Sequence, residues 1–128
     1  MISLFLLASA TTAGDLDALG KAVSVCDRTQ VNPVFSAESA RRSEFMLATF
    51  REQEAIVAQR RELATRRLAM RQQPSATIDA ALALAEASIE DRQRALNDER
   101  LLEGLRRETI DTMRHHFLQN CPAGKPKN

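Results

Sequence analysis

The sequence predicts an all-α protein, an antiparallel and coiled-coil-like long helical hairpin with a short N-terminal helix packed at a disulfide-closed base. Three observations predict it. Alanine, leucine, arginine, glutamate and glutamine dominate, there is no Trp or Tyr, and β-branched residues are sparse, so intrinsic preference favours helix over sheet. A single strong break, Gln73-Pro74-Ser75, separates two long helix-forming stretches. The two cysteines, Cys26 and Cys121, bracket those stretches.

At 128 residues a single domain is expected, covering 14–121. Hydrophobic residues make up 44%, but 20 of them are alanine, so the core is thin. Charged residues reach 27% with both signs mixed, which argues against a wholly disordered chain. The formal charge of +1 and the shortage of aromatic side chains argue against a nucleic-acid partner.

Residues 1–13 read as a signal peptide. Ile2, Leu4, Phe5, Leu6 and Leu7 form a short apolar run, and small residues follow, with cleavage expected after Ala10 or Ala13. The run is too short to span a bilayer, which takes about 20 apolar residues. No Lys or Arg precedes it, so the competing reading is a cytoplasmic chain with a misassigned start. Two widely separated cysteines suit neither a C-x-x-C redox site nor a zinc knuckle. In an oxidising compartment they suit one structural disulfide. Periplasmic or secreted localisation follows from the leader and the cysteines together.

The elements follow in order. Leu16, Leu19 and Val23 lie at i, i+3 and i+7, one face of a short helix over about 15–25. Asp27 to Phe35 is expected to be a connector because Asn32-Pro33 disfavours helix. Ser36 then caps a helix running to about Gln72, with Glu38 in its first turn. The bend at Pro74 follows, and Ser75 caps a last helix over about 76–119. Residues 122–128 form a flexible basic tail.

A break of two or three residues favours a fold-back. Residues whose numbers add to about 147 should then face each other, and Cys26 and Cys121 satisfy this. So, approximately, do the apolar pairs Leu68 with Ile78, Leu63 with Leu84, Val57 with Ile89, Phe50 with Leu96, Met46 with Leu101 and Phe35 with Met113. Charge agrees. Ser36 to Gln72 holds eight Arg and five acidic residues, while Ser75 to Asn120 holds six Arg and nine acidic residues. The middle of the hairpin has a narrow apolar stripe, so a partner or self-association is expected to cover it.

Candidate site residues are few. Arg60, Arg66, Arg67 and Arg71 form the densest basic stretch, a candidate patch for an anionic partner or envelope surface near the bend. The simpler reading is a solvated face with Arg60 and Arg61 paired to Glu86 and Glu90. Asp111, His115 and His116 are weak metal candidates, because adjacent helical histidines point about 100° apart. Helix capping explains the histidines more simply. No phosphate loop, nucleophile elbow or Glu-x-x-His pair is present, so no catalysis, cofactor or metal is expected. In outline, two long paired helices resemble the helical arms of trimeric periplasmic holdase chaperones, without a β-rich trimerisation segment. The expected function is a non-enzymatic exported interaction protein, either a scaffold or a chaperone-like client binder. The alternative is a cytosolic coiled-coil adaptor that binds partner helices.

Overall fold

The computed structural model describes residues 13–123, and the expected signal peptide and most of the basic tail lie outside them. Three α-helices make up the described chain: α1 (Ala13–Ser24), α2 (Arg28–Gln72) and α3 (Ala76–Asn120). Helices α2 and α3 form the antiparallel hairpin, and a Cys26–Cys121 disulfide closes the base with a Cα–Cα distance of 5.5 Å. Packing separates two compact units. Among the described residues, unit 1 combines 13–45 with 103–123, and unit 2 is Met46–Leu102.

In unit 1, α1 ends in a Schellman turn. The Asp27 amide donates to the Ala22 carbonyl (2.9 Å) and the Cys26 amide to the Val23 carbonyl (3.2 Å). Cys26 occupies the left-handed position of that turn, with φ 54°, where glycine is the usual residue. Asp27 then starts the next helix at once. Its carboxylate accepts from the Thr29 amide (3.2 Å) and the Thr29 hydroxyl (2.6 Å).

This corrects the expected start of the long helix at Ser36. The connector predicted over Asp27 to Phe35 is helical from Arg28 onward, with Pro33 inside it. Proline in a helix interior costs about 3 kcal/mol. Burial outweighs that cost here: Val31 is fully buried, and Val34 and Phe35 pack against the same cluster. Ser36 is no cap; its hydroxyl donates back to the Asn32 carbonyl at 2.8 Å. The true cap is Asp27. Asp27→Ala should therefore destabilise the chain by about 0.5–2 kcal/mol in urea melts, while Ser36→Ala should change little.

The unit 1 core joins all three helices. Leu19, Ala22 and Val23 of α1 meet Val31 of α2 and Ile110 and Phe117 of α3. Phe35 and Met113, an expected pair, both pack against this cluster, and Phe35 lies edge-on to Phe117 at 6.0 Å. Arg28 closes the open end of α3. Its guanidinium donates to the Cys121 carbonyl and stands 5.1 Å from the Phe117 ring centre.

Unit 2 has a narrower core of Ile56, Leu63, Leu82, Ile89 and Leu96. Ser75 caps α3 as the sequence predicts, accepting from the Ile78 amide at 3.3 Å. Several of the expected apolar pairs lie outside that core. Leu68, Ile78, Met46 and Leu101 are all at least half exposed, as are Leu84 (75%) and Phe50 (63%). The reason is phase. Buried positions on α3 recur every seven residues, at Leu82, Ile89 and Leu96, so Leu82 rather than Leu84 shares the core with Leu63. Ile56, fully buried, likewise takes the place expected for Val57.

Candidate interaction surfaces

The seven-residue repeat of α3 continues through Glu103, Ile110 and Phe117, all buried. Glu103 thus holds a core position, and Glu38 of α2, 7% exposed, holds another. Both carboxylates are fully engaged. Arg106 grips Glu38 with two bonds of 2.8 and 3.1 Å. Arg42 adds one of 2.8 Å and Arg41 two of 3.3 Å. Glu103 accepts from Arg41 and, at 2.8 Å, from Arg107. Arg42 also reaches Asp111 at 2.8 Å.

Burial alone would raise the Glu38 carboxyl. The bonds from Arg106, Arg41 and Arg42 outweigh it and hold the group at a pKa of about 2. Glu103 is lowered for the same reasons, burial opposed by Arg41 and Arg107. Among the described residues no buried side-chain N or O atom lacks a partner. The members of this cluster bond to one another across the two helices. The cluster fixes the register of α2 against α3 by demanding opposite charges at the same level.

Both units leave apolar groups outside: Val25, Leu105 and Leu118 in unit 1, and a set gathered on one side of α2 in unit 2. Met46, Leu47 and Phe50 are 60, 50 and 63% exposed. Their spacing places them together on one side of α2. Leu101 and Leu102 of α3 are 64 and 66% exposed. Each is large enough to anchor a contact.

The sequence-predicted site residues divide clearly. Cys26 and Cys121 are joined. Of the basic stretch, Arg60 pairs with Glu90 (3.2 Å), Arg66 with Glu62 (2.8 Å), and Arg67 with Glu86. The expected Arg61 pairing across the hairpin is taken by Arg67. Arg71 is exposed and makes no ion pair among the described residues. Asp111 is occupied by Arg42, and His115 and His116 are exposed, with the His116 ring nitrogen 3.2 Å from the Asn120 amide nitrogen. Among the described residues no group of three or more His, Cys, Asp or Glu side chains is placed to hold a metal ion. No helix among them is long and apolar enough to cross a membrane.

Sequence reasoning missed Glu38, Glu103 and Arg106 as a unit. The signal was present as the spacing of seven from Leu82 to Phe117, with a glutamate standing where a leucine would fit. Comparison with known protein families, with curated proteins and with solved structures gives no match.

Proposed function

We propose that this chain is a non-enzymatic, exported helical interaction protein, a periplasmic scaffold or chaperone-like client binder. The observation that carries the reading is the exposed set Met46, Leu47 and Phe50 on a helix whose own core lies on another face. A helix surface that leaves such side chains in water is a ready docking face for an apolar segment of another protein. The disulfide is compatible with an oxidising, extracytoplasmic setting. The cytosolic adaptor reading would use the same face but calls for reduced cysteines.

Light scattering of an aggregating, reduced model client tests the reading. The oxidised wild-type chain should suppress aggregation near stoichiometric ratios. Met46→Ser with Phe50→Ser should weaken that by roughly 10-fold or more, since each change removes about 1–2 kcal/mol of apolar contact. Both residues lie outside the core, so circular dichroism and melting should stay unchanged. Equal suppression by variant and wild type would remove this face from the account.

A further inference from the structure

Unit 2 is lopsided. On one flank, side-chain bonds tie α2 to α3. Gln53 and Gln93 exchange two (2.8 and 3.0 Å), Arg60 reaches Glu90 (3.2 Å), and Arg67 reaches Glu86 (2.9 Å). Met46 belongs to this flank, since it precedes Gln53, Arg60 and Arg67 by multiples of seven. The opposite flank carries a groove of about 210 Å³, floored by Leu63, Ala85 and Ile89 and edged by Glu62 and Ser88. Gln59 and Arg66 complete its lining, and Arg92 of α3 bounds it by bonding to Gln59 (3.0 Å) and Glu52 (2.8 Å) of α2. Beside the groove, one helical turn before Ser88, stands Leu84, 75% exposed.

We propose that this flank docks a second copy of the chain, related by a two-fold axis parallel to the helices, so that α2 of each copy packs on α3 of the other. This deepens the interaction reading by naming one partner. A knob and a hole on one flank are what an isologous contact requires, because the same patch must supply both. The register of the unit, which sets Glu52 level with Arg92 and Gln53 level with Gln93, places Leu84 level with residues 60–62. The two-fold therefore seats Leu84 in the gap between Ala58, Glu62 and Thr65 of the other copy, a knob entering a hole.

Charge selects the same arrangement. Arg51 and Asp98 are exposed and make no ion pair among the described residues, and the exposed Asp91 pairs only with its own neighbour Arg94. With the axis parallel to the helices, Arg51 falls between Asp91 and Asp98 of the other copy, about one turn from each. An axis perpendicular to the helices would instead set α3 on α3 and oppose those aspartates to each other. Like charges at such a contact select against it. Met46 stays outside the interface, free for a client.

Sedimentation equilibrium of the full oxidised chain tests the proposal. Wild type should be a dimer. Leu84→Arg should weaken it ~100-fold or more without changing helix content or melting, because Leu84 is outside the core. Arg51→Asp should weaken the dimer ~10-fold, and Arg51→Asp combined with Asp98→Arg should recover most of the loss. A wild-type monomer up to about 100 μM, an unperturbed Leu84→Arg dimer, or no recovery in the double reversal would each overturn it. A monomer that still suppresses client aggregation removes the dimer and leaves the interaction reading standing. A dimer that ignores clients does the opposite.

Discussion

Replacing both Cys26 and Cys121 with alanine should lower stability by about 4–5 kcal/mol, because the bridge closes a loop of 95 residues. In a domain of this size that corresponds to a drop in Tm of roughly 15–30 °C. The loss should be local before it is global. Helix α1 is only 12 residues long and would be marginal alone, so its amides should lose hydrogen-exchange protection first. Amides of unit 2 around Ile56 and Leu82 should keep theirs. Cys26 also sits in a left-handed turn position, so Cys26→Gly with Cys121→Ala should be about 1 kcal/mol more stable than the double alanine variant. Thermal melts of the three proteins by circular dichroism measure this. A Tm change of only a few degrees in the double alanine variant would show that the hairpin holds its base without the bridge.

The second large effect concerns Glu38. Glu38→Ala leaves Arg106, whose side chain is 10% exposed, without its main partner, and should cost about 3–5 kcal/mol. Replacing both members, Glu38→Leu with Arg106→Met, should recover most of that loss, since no buried charge is then stranded. The acid limb follows from the same contact. Glu38 is held near a pKa of about 2, below its ordinary 4.5, so its stabilisation is complete above about 4.5 and is lost as pH falls towards 2. Glu103, also lowered, acts in the same direction. Glu99 acts oppositely, because burial and the neighbouring Glu52 raise it, so its ionised form is a small liability at neutral pH. Urea midpoints between pH 2 and 7 should therefore fall on the acid side, and Glu38→Gln should flatten that limb. A wild-type midpoint constant down to pH 2 would contradict the account.

Much of the fold was legible because it rests on local signals. The break at Pro74, the Ser75 cap and the complementary positions of Cys26 and Cys121 each needed only a few residues to read. The start of α2 was not legible, because a local rule about Pro33 was overridden by burial of Val31 in a cluster drawn from three helices. Several apolar pairs fall outside the core for a related reason. Pairing by number identifies the level of a residue but not the side of the helix it faces, and only the repeat of seven separates Leu82 from Leu84. That same repeat exposes the charge cluster, since Glu103 reads as a surface residue until its neighbours at Leu96 and Ile110 are seen to be buried. The candidate interaction face was legible only by default: Met46 and Phe50 look like core residues in sequence, and the structure leaves them outside.

The disulfide locks the base of the hairpin, and we propose that the chain is exported. Peptide mapping of the protein isolated from its native cell envelope, alkylated without reduction, tests this most directly. The account predicts that the peptides containing Cys26 and Cys121 are recovered joined, separating only after reduction, with the mature chain beginning near Thr11 or Gly14. Recovery from the cytosol with both thiols alkylated and Met1 in place would contradict it.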